Sequence, residues 1–539
     1  MNALLVLFAG RFSGEALEPL LDGKNSLSLA LERGQRFPGV GKTVLLGCEG
    51  GEYPGLTGIQ VEKRTSWTKK SLLERMAELS TGFDCTYFAW ADCPFLDPAL
   101  AGAIAERHIR YAAEYSYADG WPYGLAPELL SPGTAGVLAK IAGDDDGPVE
   151  RDALFSVIQK DINAFDIETE ISPVDLRCHR ISLCADSRRN LLLLGRFAAA
   201  AAGLAGQAAG QGRAIPGAGD VERIIAEQPE ILRTLPNFYP IQVYGGCPQS
   251  CALCPYAAID NGALTGRRDF MESNQFESLL DKIIAFSGDA VIDLSLWGEL
   301  SLHPQKMALI EMVLIRPQLA LVIETSGLGW KGEELERCAA LCQKAAAVAE
   351  RKSPLPPLSW IVSLDAADPA RYKAVRGSGY AEAIDCAQKL FALFPKDAYV
   401  QAVRTVGAED DIEQFYRSWK ETAPAGASNV IIQKYDDFCG ALERKQASDL
   451  SPVIRQPCWH IMRDMPVLID GTVPRCREDI SVLKVPPLLK GQGGSTLGNV
   501  FCDSLESIWE RGTRLYTEQC GKKYEGLCAG CDEFYTYNF

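Results

Sequence analysis

The chain has 539 residues, of which 47% are hydrophobic, and a formal net charge of −16 at pH 7. This length exceeds one ordinary domain and suggests three. The negative charge argues against a general nucleic-acid binder, which would show a basic surface. No run approaches the roughly 18 apolar residues of a membrane helix. We therefore expect a cytoplasmic protein that binds neither nucleic acid nor a membrane.

Eighteen cysteines are present but only four histidines. Secreted disulfide proteins are short and cysteine-dense throughout, whereas this chain is long. Most of its cysteines, such as Cys48, Cys338 and Cys386, are scattered through apolar segments and are typical of small buried hydrophobic residues. Two groups have metal-ligand spacing instead, and a reducing compartment would keep their thiolates available. The scarcity of histidine argues against a His-based metal site.

The N-terminal 200 residues predict an α/β domain. Residues 4–9 form an apolar run, followed by a glycine-containing loop at 10–14, a predicted helix and a second predicted strand at 43–46. Such a strand–loop–helix opening can cradle phosphates with backbone N–H groups. A plain α/β turn is the alternative interpretation of the same pattern.

Three later segments favour a nucleotide-binding domain over a plain α/β turn. They are ADCPFLDP at 91–98, PYGLAPE at 122–128 and LCAD at 183–186. In this order they resemble the cytidylyltransferases of the spore-coat-polysaccharide and sugar-acid type, which have a Rossmann-like fold. The resemblance implies that Asp92 and Asp186 bind Mg²⁺, with Gly10, Arg11 and Lys24 near the triphosphate of CTP.

The first loop departs from that family's pattern. Glu15 and Ala16 stand where a second basic residue and its neighbours are expected. Displacement at a triphosphate depends on cations placed around it. The departure predicts weakened nucleotidyl transfer on a retained fold, and the alternative is a domain kept to bind a nucleotide-sugar-like molecule or a partner.

An Ala/Gly-rich stretch at 198–219 marks a boundary, and a short amphipathic helix is predicted at 221–232. We expect four segments. They are a nucleotidyltransferase-like domain at 1–200, a linker with a helix at 201–235, a central barrel at 236–445 and a small cluster-binding domain at 446–539.

Cys247, Cys251 and Cys254 follow a strand-like run at 241–244 with C-x3-C-x2-C spacing. A closed zinc site or a ferredoxin-type cluster normally has four protein ligands. Three thiolates on a four-iron cluster would leave one iron open for another molecule. The alternatives are a zinc knuckle with a distant fourth ligand, or three unrelated buried cysteines.

Strands and helices then alternate. Strands are predicted at 290–296, 319–324, 360–364, 398–404 and 429–435, with an amphipathic helix at 272–286. Three motifs fall at strand ends: WGE at 297–299, TSG at 325–327 and SLDA at 363–366, the last followed by RG at 376–377. The carboxyl ends of strands are where α/β folds place their ligands.

Together with the three cysteines, these motifs resemble the radical S-adenosylmethionine (SAM) superfamily. The resemblance implies a partial (β/α)6 barrel and a [4Fe-4S] cluster whose open iron binds SAM. It also implies a set of SAM contacts, namely Gly298, Glu299, Thr325, Ser363, Asp365 and Arg376. Two alternatives remain. Glu299 could be an ordinary strand-end acid in water, and Asp365 and Arg376 could simply form a structural ion pair.

A second cysteine group follows. Cys458 and Cys476 enclose Gly471 as C-x12-G-x4-C, and Cys528 and Cys531 form a C-x2-C pair. Asp-Gly at 470–471 between apolar residues predicts a β-hairpin at 467–473. The arrangement resembles the Twitch/SPASM extensions of radical SAM enzymes and implies one auxiliary [4Fe-4S] cluster. A tetrahedral zinc is the alternative. Cys439, Cys502 and Cys520 lie nearby without an assigned role.

The three parts together resemble the proteins catalogued as spiro-SPASM. The resemblance implies the cofactors of a radical SAM enzyme, which abstracts a hydrogen atom from its substrate. The resemblance of the tail to Twitch-type extensions implies net oxidation, and the N-terminal domain suggests a sugar-, alcohol- or nucleotide-linked substrate. A peptide- or protein-modifying enzyme and a cluster-bearing redox or binding protein without turnover are the alternatives. The expected partners are a small-molecule or peptide substrate and a reductant such as flavodoxin or ferredoxin. No residue is assigned as catalytic.

Overall fold

A computed structural model describes residues 1–56, 58–143, 147–205, 215–259, 269–348, 351, 353, 355–448, 451–483 and 496–535. The chain divides into two compact units, which we call the N-terminal unit (1–234) and the C-terminal unit (235–539). The further division of the C-terminal unit into a barrel and a cluster-binding domain stays a prediction. Among the described residues, no helix combines the length and apolar character needed to cross a bilayer.

The N-terminal unit is built on a mixed seven-stranded sheet with the order β5-β4-β1-β6-β8-β7-β9, and a small β2-β3 pair lies outside it. Its strands are β1 (Ala3–Ala9), β2 (Pro19–Leu21), β3 (Lys24–Asn25), β4 (Val40–Cys48), β5 (Gln60–Arg64), β6 (Cys85–Trp90), β7 (Tyr115–Asp119), β8 (Glu128–Leu130) and β9 (Ile167–Ile171). Its helices are α1 (Ser26–Gly34), α2 (Lys69–Leu79), α3 (Pro98–Arg110), α4 (Thr134–Ile141), α5 (Ala153–Ile158), α6 (Arg188–Ala205) and α7 (Ala218–Glu227).

Strand β1 lies in the middle of this sheet, parallel to β4 on one side and β6 on the other. All seven of its residues are buried, which explains its continuous apolar sequence. Because the chain crosses from one side of β1 to the other, the carboxyl ends of β1 and β6 flank a switch point of the topology. Gly10 and Asp92 follow these two strands, so the predicted α/β fold is confirmed.

A buried histidine links α3 to the strands beneath it. The His108 ring pairs with the Ser116 hydroxyl through Nδ1 at 2.8 Å and with the Ser131 hydroxyl through Nε2 at 3.0 Å. The neutral ring satisfies both contacts. Burial lowers the pKa of His108 from its ordinary 6.5 to about 4, because the charged imidazolium would lose its hydration.

This histidine predicts an acid-sensitive N-terminal unit. Above pH 6.5 the ring is neutral in both the folded and unfolded chain, so it adds no penalty. As the pH falls toward 4, only the unfolded chain takes up the proton, and stability is lost by about 3 kcal/mol. We expect urea denaturation to show this loss for the wild type relative to His108→Gln, which does not titrate. Parallel pH curves for the two proteins would contradict it.

The C-terminal unit contains a six-stranded parallel sheet whose spatial order, β10 to β15, is the chain order. The strands are β10 (Phe238–Pro240), β11 (Ala290–Asp293), β12 (Leu319–Thr325), β13 (Leu358–Ser363), β14 (Ala398–Arg404) and β15 (Val430–Lys434). The helices between them are α8 (Pro255–Ile259), α9 (Ser273–Ser287), α10 (Lys306–Leu314), α11 (Gly332–Ala346), α12 (Pro369–Val375), α13 (Tyr380–Leu393) and α14 (Glu409–Thr422). This strand–helix alternation confirms the predicted partial (β/α)6 barrel.

The first strand differs from the prediction of 241–244, since β10 ends at Pro240. Ile241 forms a single parallel bridge to Val467, and Tyr244 forms an antiparallel bridge to Phe270. Residues 241–244 are therefore buried by segments that lie far away in sequence or after the cysteine loop. Their apolar character reflects that burial, and the ladder itself lies three residues earlier.

The C-terminal tail completes this unit. It contains α15 (Trp459–Arg463), β16 (Thr472–Pro474), β17 (Thr496–Asn499), α16 (Leu505–Cys520) and α17 (Leu527–Gly530). Residues 464–467 run along the open side of β10, and the N–H of Val467 donates to the carbonyl of Pro240 at 2.8 Å. Tail residues such as Trp509 also join the barrel core. The tail therefore covers an edge that would otherwise expose unpaired backbone groups.

The predicted hairpin at 467–473 is formed differently. The chain does turn at Asp470 and Gly471, and the N–H of Leu468 donates to the carbonyl of Thr472 at 2.9 Å. Strand β16, however, forms its antiparallel ladder with β17, and the residues before the turn bridge to Ile241 instead. Gly471 has a positive φ of 82°, the conformation for which this turn needs glycine.

Candidate functional site

The three-cysteine loop lies at the carboxyl end of β10 and leads into α8. Backbone hydrogen bonds tie it to neighbouring segments: the N–H of Glu299 donates to the carbonyl of Gly246 at 2.9 Å, and that of Ala252 donates to Val375 at 2.8 Å. An apolar cluster packs beside Cys247 and Cys254, formed by Tyr256, Ala257, Leu296, Trp297, Leu468 and Ile480. The loop is thus fixed by both halves of the barrel and shielded from water on one side.

Gly298 lies directly against this loop. A Cβ atom at this position would stand 1.8 Å from the carbonyl oxygen of Tyr244, so only glycine permits the approach. The preceding residue, Trp297, has a positive φ of 44°, which is unusual for a bulky side chain. The WGE motif therefore has a local structural reason, because its glycine brings the end of the second strand onto the end of the first.

Glu299 is buried, at 3% exposure, and is not an acid in open water. Its carboxylate accepts hydrogen bonds from the hydroxyl of Thr325 at 2.7 Å and from the N–H groups of Ser326 and Ser301 at 2.8 and 3.2 Å. These donors come from the TSG motif and from the turn after Glu299. The carboxylate thus links the end of β11 to the end of β12. The sequence predicts Glu299 and Thr325 as separate SAM contacts and does not predict the hydrogen bond between them.

Asp365 and Arg376 form the ion pair that the sequence leaves open, with Oδ2 and Nη1 2.5 Å apart. The Arg376 Nε also donates to the side-chain oxygen of Gln249 at 3.2 Å, within the cysteine loop. Burial alone would lower the pKa of Arg376, but the neighbouring Cys251 and Asp365 raise it above its ordinary value. A permanent cation is therefore held beside the thiols.

One cavity of about 270 Å³ joins these groups. Its lining contains all of the predicted SAM contacts and the three thiols: Cys247, Cys251, Cys254, Gly298, Glu299, Thr325, Ser363, Asp365 and Arg376. The Ser363 hydroxyl donates to the carboxylate of Glu324 at 2.8 Å, and the amide of Gln401 donates to the same oxygen at 2.8 Å. The structure thus brings the whole predicted set to one edge of the sheet.

Several cavity residues escape the sequence analysis. Gln249 sits inside the cysteine motif, but its link to Arg376 spans 127 positions. Asp293 is the last residue of β11, where a strand-end search would find it. Burial raises the pKa of Asp293 to about 7, so this carboxyl group is poised near neutrality. Glu324 immediately precedes the TSG motif and is recognisable by the same criterion.

The thiols themselves carry the cost of burial. Desolvation raises the pKa of Cys247 to about 12 and that of Cys251 to about 11, and it also raises the pKa of Cys254. Free thiols here would be protonated at neutral pH. The positive charge of a bound metal would reverse that balance, because metal ligation takes the deprotonated thiolate. Without a metal, these thiols are therefore poorly suited to act as reactive nucleophiles at neutral pH.

The spacing of the sulfur atoms separates the metal alternatives. Among the described residues, no three cysteine sulfurs lie within 4.8 Å of one another. A tetrahedral zinc with Zn–S bonds of about 2.3 Å would draw its sulfurs to about 3.8 Å apart. A four-iron cluster is a larger body and holds its thiolates further apart. The described sulfur atoms are therefore not gathered as closely as a bound zinc ion would hold them.

The second group brings Cys458, Cys476, Cys528 and Cys531 around one small cavity. Cys439 lines the same cavity, so the structure adds a fifth thiol that its spacing does not reveal. A hydrogen bond from Cys439 lowers the pKa of Cys531, and burial raises the pKa of Cys458. Of the other two unassigned cysteines, Cys502 is exposed and Cys520 packs against an apolar cluster.

In the N-terminal unit, Asp92 and Asp186 do come together, but around the guanidinium of Arg151. Two Arg151 nitrogens bond Asp92 at 2.5 and 2.8 Å, and one bonds Asp186 at 3.0 Å. Arg11 lies 3.8 Å from Glu150, and Lys24 pairs with Glu32 at 2.5 Å. The residues at the predicted magnesium position therefore do not fit a divalent ion as they stand.

Gly10 has a packing reason that needs no phosphate. A Cβ at this position would stand 2.2 Å from the ring of Phe8, a buried aromatic residue of β1. Its carbonyl accepts a hydrogen bond from the thiol of Cys48 at 2.7 Å. Packing against Phe8 thus gives a reason for glycine at this position, and the predicted contact with a phosphate stays a prediction.

No protein-family model matches the chain. An uncharacterized protein of Treponema pallidum (strain Nichols) is 34% identical over 396 residues, which is 72% of this chain and 98% of the relative. Two solved structures have low similarity. A cytidylyltransferase from Leptospira borgpetersenii is 16% identical, with a TM-score of 0.35 over 43% of this chain and 95% of its own. BtrN, in complex with AdoMet and 2-DOIA, is 16% identical, with a TM-score of 0.34 over 56% and 94%.

The contact at Gly298 predicts a severe effect of one methyl group. In Gly298→Ala the new Cβ would overlap the Tyr244 carbonyl, so either the loop or the strand end must move. We expect a loss of about 1–3 kcal/mol in the free energy of unfolding, the usual range for overpacking, measured by urea denaturation. Gly332→Ala, in open space at the start of α11, is the matched control and should be neutral. Equal midpoints for both variants would exclude the proposed constraint.

Proposed function

We propose that this protein is a radical SAM enzyme. The chain belongs to the same family as the uncharacterized Treponema pallidum protein. One observation carries this proposal. Three thiols at the end of the first strand share a cavity with polar groups from the second, third and fourth strand ends of a parallel barrel. The number of thiols leaves one position of a four-iron cluster for another ligand.

When bound, a four-iron cluster with SAM supplies reductive cleavage to a 5′-deoxyadenosyl radical that abstracts a hydrogen atom from the substrate. The chain's own residues have positioning roles. Cys247, Cys251 and Cys254 would hold the cluster, and the Asp365–Arg376 pair fixes Gln249 and with it the loop. The apolar residues beside Cys247 and Cys254 exclude water, which protects a reactive radical from side reactions.

The substrate class that the cavity suits is a small hydroxyl-bearing molecule. Asp293, Glu324 and Gln401 line the cavity with hydrogen-bonding groups, and Glu324 is already oriented by two donors. Hydrogen-bonding groups of this kind match the hydroxyls of a sugar, an alcohol or a nucleotide-linked compound. We therefore propose such a substrate.

A second cysteine cluster, which we call the five-thiol group, supports net oxidation of the substrate. It consists of Cys439, Cys458, Cys476, Cys528 and Cys531. Neighbouring residues of two segments face the two cavities: Phe438 and Arg477 line the first, and Cys439 and Cys476 line the second. A redox centre in the second cavity would therefore be held by residues adjacent in sequence to residues that line the first cavity, where the substrate would bind. We propose one auxiliary [4Fe-4S] cluster at this group and two-electron oxidation of the substrate.

The decisive experiment is release of 5′-deoxyadenosine from SAM. Protein reconstituted anaerobically with iron and sulfide and reduced with dithionite should release it, as measured by liquid chromatography. Cys254→Ala should abolish the release, because two thiolates cannot hold the cluster. Cys338→Ala, at a buried cysteine of α11, is the matched control and should retain it. Intact clusters without any release would instead favour a redox or binding protein.

The five-thiol group predicts unequal roles for its cysteines. We expect about eight irons per chain in the wild type and about four in Cys528→Ser, since that variant loses one of the four predicted ligands. Cys439→Ser should keep about eight, because Cys439 is not one of the four predicted ligands. Cys502→Ser, at an exposed position, serves as the control. Iron loss in Cys439→Ser equal to that in Cys528→Ser would make Cys439 a ligand.

A further inference from the structure

The strongest unassigned feature is the arginine between the two carboxylates of the N-terminal unit. Asp92 follows β6 and is 1% exposed, and Asp186 lies just before α6. Arg151, just before α5, bonds Asp92 through two nitrogens at 2.5 and 2.8 Å and reaches Asp186 at 3.0 Å. Bidentate guanidinium–carboxylate pairs are among the strongest hydrogen bonds in proteins.

All four carboxylate oxygens of this group have a donor. Asp92 uses both oxygens for Arg151, and Asp186 uses Oδ2 for Arg151 and Oδ1 for the side-chain amide of Asn190 at 2.8 Å. Mg²⁺ needs free oxygens at about 2.0–2.1 Å in octahedral geometry. A guanidinium cannot give up its charge in a protein. The position is therefore filled by a cation that belongs to the chain.

Aromatic rings hold the guanidinium in place. Its carbon lies 4.2 Å from the centre of the Trp90 ring and 5.7 Å from that of Tyr123. The Tyr123 hydroxyl also donates to the backbone carbonyl of Arg151 at 3.3 Å. Contact with aromatic faces is favourable for a cation and restricts the motion of the side chain. Arg151 is thus a fixed part of the unit.

The charge around the group gives an independent argument. Arg11, predicted to face the triphosphate, has Glu150 at 3.8 Å. Among the ion pairs of the described residues, Asp92, Asp186 and Glu150 face the guanidiniums of Arg11 and Arg151, which leaves no surplus positive charge in this group. A triphosphate needs surplus positive charge at its binding site. The guanidinium of Arg151 is therefore committed to Asp92 and Asp186, and that of Arg11 lies beside Glu150.

We propose that Arg151 replaces the divalent ion, so that the N-terminal unit folds and functions without a metal and does not transfer a nucleotidyl group. The proposal concerns the N-terminal unit alone and is independent of SAM cleavage by the C-terminal unit. We expect the wild type to bind no divalent cation at this position even when metal is added. Removal of the guanidinium should create such a site.

The test is Mn²⁺ binding followed by electron paramagnetic resonance of the full chain, with its clusters oxidised and therefore silent. The wild type and Asp186→Asn should bind the same number of Mn²⁺ ions, because Asp186 is not available to a metal. One more Mn²⁺ on the wild type than on Asp186→Asn would overturn the proposal. So would pyrophosphate release from CTP with magnesium and a sugar acid.

A second set of variants tests the replacement directly. Arg151→Ala should gain one Mn²⁺ per chain, because two uncompensated carboxylates remain side by side. Asp92→Asn in that background should lose the gain. Arg151→Lys keeps a cation at the site and should gain none. If Arg151→Ala folds and gains no Mn²⁺, the carboxylates are not a latent metal site and the proposal fails. If it does not fold, the wild-type comparison still decides.

Discussion

Parallel pairing of six consecutive strands is the constraint on which the C-terminal unit depends. Each strand must be followed by a crossover, so every strand end that follows the cysteine loop returns to the same edge. Residues as distant in sequence as Cys247 and Lys434 therefore line one cavity. The polar groups gathered there must satisfy one another once buried. Glu299 and Asp365 do so through Thr325 and Arg376.

The two units handle strand-end carboxylates in related ways with different outcomes. Each sets an arginine from a following segment against an aspartate, Arg151 against Asp92 and Arg376 against Asp365. In the N-terminal unit, Arg151 and Asn190 together supply a donor to every carboxylate oxygen of Asp92 and Asp186. In the C-terminal unit it leaves the thiols and Asp293 facing a cavity. The second unit therefore keeps polar and thiol groups available at its strand ends, whereas the first pairs its two carboxylates internally.

Strands and strand-end motifs could be predicted from the sequence because they depend on local patterns of residues. Features that depend on contacts between distant segments could not. The mostly apolar run 398–404 coincides with β14, because strands inside a parallel sheet are rich in apolar residues. The run 241–244 is similarly apolar, yet it follows the paired residues of β10, and its ends are bridged by Val467 of the tail and by Phe270. The strand-end motifs were visible because parallel topology fixes where they meet. Arg151 and Cys439 had no such signal, since each acts through partners that only the tertiary fold brings near.

The covering of β10 by residues 464–467 has a consequence for assembly. The bridge joins Ile241 to Val467, which are 467 − 241 = 226 positions apart. A ribosome adds about 5–20 residues per second. The edge strand β10 is therefore synthesised on the order of ten seconds or more before residues 464–467, which cover it. During that interval the first three cysteines are already synthesised beside an unfinished sheet. The segment that brings the second cysteine group thus also closes the unit against pairing with other chains.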